Sequence, residues 1–292
     1  MHWQRNLFYW GEYNGYERPS DDWQVGDESM AAIFSEARRK RRTAGRFSPA
    51  LFGGLLGGLL AFMTMAALFF RPGYNLAAVT FLMVVFFGLL GVQQSNRWLG
   101  ILINERKVMS LSRFQSIVWT VVVLSAYFTI TLARVRAGVS DPLAVEMDWT
   151  LWALMGMSVT SLVGTPLLLS NKRAKTPDPA FLEGLGNERD CQQAEGLLYV
   201  NASPEEAAFT DMFEGDELRD THFIDIAKVQ MFFFTIIAAV SYEAALLYTV
   251  QAVSPALVVS LPQLSEGFLA LLGISHASYL TSKSICSTPA AK

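Results

Sequence analysis

The chain has 292 residues, of which 52% are hydrophobic and 17% are charged, with a formal net charge of −3. The charged residues avoid the long apolar stretches, which argues against an ordinary soluble protein of one or two domains. A soluble helix carries an apolar stripe, whereas a helix in lipid is apolar all round. A helix of about 20 apolar residues is long enough to cross the hydrocarbon core of a bilayer.

The N-terminal segment, 1–48, is polar, aromatic and basic, and it has no apolar core that would predict a cleavable signal peptide. Seven aromatic residues lie among its first 23. They favour a folded extension, or one that docks on a partner or on the membrane surface. Apolar residues at helical spacing from Met30 to Ala37 predict a short amphipathic helix. A basic run from Arg38 to Arg46 follows it. This run is expected to keep the N-terminus on the cytoplasmic side of the membrane, and it could also bind anionic lipid.

Six apolar stretches predict transmembrane helices. In chain order they are Ala50–Phe70, Leu76–Val92, Phe114–Ala133, Trp149–Leu169, Val229–Val250 and Leu264–Leu280. Backbone groups in lipid must be satisfied within the segment, so these stretches are helices. The expected fold is all-α: a polytopic membrane bundle of about six helices.

The first two spans and the loop after them occupy 49–112. Four small residues in the first span form overlapping small-xxx-small patterns that favour close helix packing or dimerisation: Gly53, Gly54, Gly57 and Gly58. A homo-oligomer is therefore one expectation. Lys and Arg recur in alternate loops, with the basic run before the first span on the same side. By the positive-inside rule, both termini are expected in the cytoplasm, across a bacterial inner membrane.

An internal duplication is visible in the second half of the chain. RFQSIVWTVVVLSAY, beginning at Arg113, aligns with KVQMFFFTIIAAVSY, beginning at Lys228, 115 residues later. ALMGMSVTS, beginning at Ala153, aligns with ALLGISHAS, beginning at Ala270, 117 residues later. The helix pair 113–169 would thus be repeated as 224–283, a parallel repeat because each unit has an even number of spans.

Polar and small residues within the repeat have two readings. Gln115, Gln230 and Thr235 need hydrogen-bond partners, and Gly156 and Gly273 allow close helix approach. All of them are expected to hold helices together. The alternative is that some of them line a polar path.

The second copy carries more ionisable groups than the first. Glu243, Glu266 and His276 align with Phe128, Trp149 and Val159. Ionisable side chains at membrane depth are functional candidates by default. At about 1.5 Å of rise per residue, Glu243 lies roughly 21 Å from the inner end and His276 roughly 18 Å from the outer end. They are therefore not expected to touch, but water could link them.

The loop at 170–223 holds twelve acidic and five basic residues. Its negative charge argues against binding nucleic acid or anionic lipid. Ser203 followed by Pro204 and Glu206 predicts a helix start. The helix would place three apolar residues on one face, either docking a partner or packing on the bundle: Phe209, Met212 and Phe213. The C-terminal tail is 284–292, and reduced thiols are expected at Cys191 and Cys286.

Motifs for catalysis, cofactors and metals are missing from the sequence. The glycines of the first span lack the Lys-Ser/Thr ending of a phosphate-binding loop. The three histidines, His2, His222 and His276, lie far apart, without ligand spacing. The expectation is a protein without catalytic residues, cofactor or metal.

The blocks KVQMFFFT, from Lys228, and ALLGISHASYL, from Ala270, resemble motifs of an uncharacterised family of bacterial multi-pass membrane proteins. The resemblance implies the membrane location and no particular activity. Two hypotheses remain. The favoured one is a non-enzymatic anchor or scaffold for a cytoplasmic protein partner. The other is a small oligomeric ion or proton channel or transporter that uses Glu243 and His276.

Overall fold

A computed structural model describes residues 47–184 and 193–291. The predictions for the aromatic segment, the amphipathic helix, the basic run and Cys191 lie outside these residues. The described part of the chain forms seven α-helices in chain order: α1 (Pro49–Phe69), α2 (Tyr74–Ser95), α3 (Leu111–Arg136), α4 (Trp149–Arg173), α5 (Pro179–Gly184), α6 (Ile226–Ala252) and α7 (Glu266–Ser284). Two strands of two residues each, β1 (Ala194–Glu195) and β2 (Leu198–Tyr199), pair as an antiparallel hairpin. The fold is thus mostly helical, as predicted.

Five of the described helices are long and apolar enough to cross a membrane: α1, α2, α3, α4 and α6. The sixth predicted span corresponds to α7, which has 19 residues and is not among these five. Helix α7 contains Glu266 and Lys283 as well as several Ser, Thr, Tyr and His residues, and Ser275, His276 and Lys283 are buried along one side of it. The described chain therefore has five helices that are compatible with a multi-pass membrane protein.

The ends of the helices follow from local sequence. Ser48 accepts a hydrogen bond from the backbone N–H of Leu51, and Pro49 occupies the first turn of α1. Asp148, Asp225 and Ser265 cap α4, α6 and α7 in the same way. A side-chain oxygen at this position satisfies a backbone donor that has no partner within the helix.

The centre of the bundle is α3, which packs against α1, α2, α4 and α6. Half of the residues in the apolar stretch of α3 are buried, whereas 17% of those in the apolar stretch of α1 are buried. The main core surrounds the fully buried side chain of Trp119 and includes Leu154, Tyr242 and Leu272 from the neighbouring helices. Helices α4 and α7 run side by side in the same direction, since both begin at one end of the bundle and finish at the other.

We call the end at which α3 and α6 begin and α4 and α7 finish the charged end. The loop at 97–110 and the long loop between α4 and α6 meet there. Arg97 donates from Nη1 to the carbonyl oxygens of Pro204 (3.1 Å) and Ala207 (2.5 Å). These bonds fasten the long loop to the 97–110 loop, so the two form one surface over the charged end.

The predicted helix beginning at Ser203 does not form. The structure has two separate 3-10 turns, Pro204–Glu206 and Phe209–Met212, with extended backbone at Ala207 and Ala208 between them. The carbonyl oxygens that a helix would use internally are taken by Arg97. Tertiary hydrogen bonds have therefore overridden the local capping signal.

Candidate functional site

A buried cluster of charged side chains lies at the charged end of the bundle, centred on Asp216. Its carboxylate contacts Arg106 Nη2 at 2.5 Å, Lys283 Nζ at 2.5 Å and Lys228 Nζ at 3.2 Å. Lys228 lies in the first turn of α6 and Lys283 in the last turn of α7. Asp216 thus joins the ends of two helices to the 97–110 loop.

The next residue, Glu217, makes a second buried connection. One carboxylate oxygen, Oε1, accepts from Lys172 Nζ at 2.6 Å, and the other, Oε2, accepts from the backbone N–H of Thr288 at 2.7 Å. Both oxygens also lie 3.1 Å from the backbone nitrogen of Ser287. Lys172 lies in the last turn of α4 and donates to the carbonyl of Ile285 as well. Glu217 therefore ties the end of α4 to the C-terminal segment.

Local sequence around the two carboxylates directs them inward. A Cβ on Gly215 would collide with Asp220, whose carboxylate accepts the backbone N–H of Glu217. Leu218 and Leu197 have no exposed surface and hold the loop down. A glycine, a turn carboxylate and two buried leucines together orient Asp216 and Glu217 towards the helix ends.

Four cations, Arg106, Lys172, Lys228 and Lys283, face two carboxylates in this cluster. The excess positive charge is met by backbone carbonyl groups, which accept from Arg106, Lys172 and Lys228. We call this set of six side chains the ionic cluster. Removing one member of a buried set leaves its partners uncompensated, which is costly.

Electrostatics keep both carboxylates of the ionic cluster charged. Burial alone raises the pKa of Asp216, but Lys228, Lys283 and Arg106 outweigh it and hold that pKa well below the usual range. Burial likewise raises the pKa of Glu217, while hydrogen bonds from Lys172, Thr288 and Ser287 outweigh it and lower that pKa. Asp211 differs, because burial raises its pKa despite hydrogen bonds from the backbone of Met109 and Ala208.

These shifts predict lower stability in acid. A depressed carboxylate pKa contributes stability above its usual value, and this is lost as the pH falls through the folded-state value. The usual values for Asp216 and Glu217 are 3.8 and 4.5. We expect the free energy of unfolding to fall as the pH drops below about 4.5, measured by unfolding in detergent from about pH 7 to pH 3. The raised pKa of Asp211 has the opposite effect on the pH dependence of stability. It is one carboxylate, whereas the two carboxylates of the ionic cluster lose stability in acid.

The variant carrying Asp216→Asn and Glu217→Gln is the comparison for this pH profile. Its stability should be lower at neutral pH and change less with acid, since the two groups no longer titrate. A wild-type profile that is flat, or that rises towards pH 3, would contradict this assignment of charges.

Among the polar residues predicted within the repeat, Gln115 and Thr235 meet inside the bundle. Gln115 Nε2 donates to Thr235 Oγ1 at 2.6 Å, and both side chains have no exposed surface. This bond joins α3 to α6. Gln230 does not take part, because it is exposed on α6.

Glu243 and His276 are placed against different helices. Glu243 Oε1 accepts from Thr80 of α2 at 2.9 Å, whereas His276 Nδ1 lies 2.7 Å from Ser161 Oγ of α4. The second polar atom of each, Glu243 Oε2 and His276 Nε2, is buried without a hydrogen-bond partner in the described chain. Glu266 is exposed at the start of α7. These three ionisable residues therefore form no single cluster.

The predicted small-residue contacts are mostly not used within the described chain. A Cβ placed on Gly53, Gly54, Gly57 or Gly58 would meet no described atom within 4 Å, and the same holds for Gly156. Helix α1 packs instead through its second half, where Met63, Ala66 and Ala67 are buried. Gly273 is the exception, since a Cβ there would lie 3.4 Å from Met157 Sδ of α4.

The three residues predicted for partner docking pack mainly on the bundle. Met212 is 1% exposed, and the ring of Phe213 lies 5.1 Å from that of Phe232 in α6. Phe209 also contacts Phe232, at 6.0 Å, but keeps 46% of its surface exposed. Of the three, Phe209 is the one that a partner could reach.

Sequence reasoning did not identify the ionic cluster. Lys228 stands at the start of a repeat block, and Asp216 and Glu217 stand in the acidic loop at 170–223. A usable signal was present, since Lys172, Lys228 and Lys283 all fall at helix ends on one side of the bundle. Cations gathered at one end require counter-charges, and the neighbouring loop is rich in carboxylates.

Comparison of the chain with protein-family models, with curated proteins and with solved structures finds no match. The function is therefore inferred from the geometry of the described residues.

Proposed function

We propose that the protein is a non-enzymatic, multi-pass membrane anchor that holds a soluble partner at its charged end. The observation that carries the proposal is the ionic cluster. It fastens the loop between α4 and α6 to the ends of three helices. The contacts are made by Lys172 of α4, Lys228 of α6 and Lys283 of α7. A surface that is already ordered loses less entropy when it binds, so a fixed loop suits a recruiting role.

The proposed orientation places the charged end in the cytoplasm of a bacterial cell, at the inner membrane. The basic run at 38–46 and the cations of the loops at 97–110 and 170–175 support it, because positive residues are retained inside. Both termini would then be cytoplasmic.

The proposed duplication of a helix pair is supported by the way α4 and α7 meet. Their hydrogen bonds join residues separated by nearly constant distances along the chain: Ser161 to His276 by 115, Thr165 to Tyr279 by 114 and Thr150 to Leu264 by 114. The sequence offsets of the two repeat copies are 115 and 117. Parallel helices related by a two-fold axis along the membrane normal would pair in this way.

A second candidate function is transport of protons or cations, favoured by the unpartnered buried atoms of Glu243 and His276. Such atoms are costly unless water or an ion meets them. The separation of the two residues against different helices weakens this candidate. Neither residue lines the cavity between α3 and α4 or the groove between α2 and α3.

The decisive experiment attaches a proximity-labelling enzyme after Lys292 of the full chain, in bacterial cells. We expect biotin transfer to one or a few cytoplasmic proteins above the level seen with an unrelated multi-pass protein. Replacing the exposed Phe209 with Asp should reduce that labelling about tenfold, because an interface loses its apolar anchor. Leu143→Asp is the matched control, being an exposed apolar residue in the loop between α3 and α4.

A parallel measurement tests transport with the purified chain in vesicles that contain a pH-sensitive dye. The anchor proposal expects proton flux equal to that of empty vesicles. Flux that Glu243→Gln abolishes would establish the transport alternative and overturn the anchor. Labelling that is the same for wild type, Phe209→Asp and the unrelated protein would also overturn it.

A further inference from the structure

A cavity of about 440 Å³ lies between α3 and α4 at the charged end. Arg106 is the one member of the ionic cluster among its lining residues. Its walls are the first turns of α3, the last three turns of α4 and part of the 97–110 loop. Pro166 lies inside α4 at this wall, and it lacks the N–H that would bond to the carbonyl oxygen of Leu162. This carbonyl group is therefore without its helical donor at the wall of the cavity.

Positive charge dominates the lining of this cavity. Arg113 donates to the carbonyl of Ile103 at 2.8 Å and forms no ion pair with a carboxylate in the described chain. Arg173 pairs with Glu195 at 3.1 Å, but both side chains are more than a third exposed and such a pair is weak. Arg106 is buried and pairs with Asp216 inside the ionic cluster, and Glu105 is the acidic residue that lines the cavity. Arg113 is thus the cation left to meet an anion.

Hydroxyl groups surround that cation. Ser112 precedes Arg113 and Ser116 follows it along α3, and Ser170 lines the cavity from α4. Hydroxyl and guanidinium groups together are the usual donors to phosphate oxygens. From Arg173 to Leu162 the wall of α4 descends about 16 Å at the rise of an α-helix. The cavity therefore extends from the polar end of the helices into their apolar part.

An apolar groove adjoins this cavity on the other side of α3. It has a volume of about 300 Å³, lies between α2 and α3, and shares Ile101 and Ile117 with the first cavity. Trp98 forms its floor, packed so closely on Gly88 that a Cβ there would collide with the indole. A cationic, hydroxyl-rich cavity next to an apolar groove is complementary to an amphiphile with an anionic head.

We propose that these two cavities bind one anionic phospholipid. Its phosphate lies against Arg113 and Ser116, which share one face of α3, and one acyl chain passes Ile117 into the groove beside Trp98. The proposal rests on the long helices spanning a membrane, not on the recruiting function. A soluble phosphate would leave the groove unused, and the cation of a zwitterionic head group would offset the attraction of its phosphate to Arg113.

The test is native mass spectrometry of the full chain in detergent, titrated with dioleoyl phosphatidylglycerol or with dioleoyl phosphatidylcholine. The acyl chains are identical, so the comparison isolates the head group. We expect one retained phosphatidylglycerol per chain, with phosphatidylcholine bound about tenfold more weakly. Arg113→Gln should weaken phosphatidylglycerol binding about tenfold, to the level of phosphatidylcholine.

Two further variants separate a specific site from general attraction. Ser116→Leu leaves every charge in place but removes a hydroxyl and narrows the cavity beside Arg113, so it should weaken binding of the retained lipid. Arg219→Gln removes an exposed cation from the same end of the molecule, outside the cavity, and should bind as wild type does. Equal binding of the two lipids, or unchanged binding by Arg113→Gln and Ser116→Leu, would overturn the proposal.

A competition arm distinguishes the lipid from a free anion. Inorganic phosphate, added in millimolar excess, should not displace the retained phosphatidylglycerol, because it cannot use the groove. Displacement by phosphate, with phosphate adducts that disappear in Arg113→Gln, would assign the cavity to a soluble phosphate compound and reject the lipid.

Discussion

Replacing Asp216 with Asn should lower the free energy of unfolding by about 3–5 kcal/mol, the cost of leaving buried charges without a partner. Asn keeps the size of the side chain but not its charge, so Arg106, Lys228 and Lys283 would repel one another in a buried site. The measurement is unfolding in mixed detergent micelles, followed by circular dichroism. The loss should be large because three cations depend on one carboxylate.

The control for this variant is Asp141→Asn, the same change at an exposed position. It should leave the free energy of unfolding within about 0.5 kcal/mol of wild type. Combining Asp216→Asn with Lys283→Met should recover part of the loss, since one uncompensated cation is gone. If Asp216→Asn unfolds at the wild-type denaturant concentration, the ionic cluster does not hold the loop in place.

The second large effect is expected for Lys172→Met. It removes the ammonium group that Glu217 Oε1 and the carbonyl of Ile285 share, while keeping the length of the side chain. Glu217 is 1% exposed and would remain as a buried, partly unpaired carboxylate. We expect a loss of about 3–5 kcal/mol in the free energy of unfolding. The amides of Ser287 and Thr288 should also exchange with solvent at least about tenfold faster.

Lys175→Met is the matched control, because its ammonium group is exposed and contacts Cys286 Sγ at 3.3 Å. Its stability and amide exchange should equal those of wild type. The double variant Lys172→Met with Glu217→Gln should be more stable than Lys172→Met alone, because no buried carboxylate is left unpaired. Equal stability of the two would mean that Glu217 finds another partner.

Several local predictions followed directly from residue type. The apolar stretch at 229–250 could only be a helix in lipid, and α6 contains it entirely. The structure adds caps at Asp148, Asp225 and Ser265, which are residue types that commonly cap helices. Local chemistry was sufficient in these places because the hydrogen bonds of a helix and of its cap join near neighbours.

Other predictions depended on distant partners and were incomplete. The predicted helix beginning at Ser203 is wrong, because Arg97 takes the carbonyl oxygens of Pro204 and Ala207 and only two 3-10 turns form. His276 was identified as buried and ionisable, but its partner Ser161 lies in α4, 115 residues earlier. Pairing across such a separation follows from how the helices pack, which no short stretch of sequence specifies.

The apolar helices are therefore the part of this protein that its sequence determines by itself, because length and composition alone decide whether a segment can lie in lipid. Among the described residues, five helices are long and apolar enough to cross a membrane, and α7, with its polar residues, is not one of them. The ionic cluster is the part that only the tertiary structure decided. A carboxylate in a long acidic loop is solvated unless folding brings cations to it, and Asp216 meets Arg106, Lys228 and Lys283 across 110, 12 and 67 residues of chain respectively. Burial of those charges is a property of the packed bundle, and it converts an acidic loop into a fixed surface.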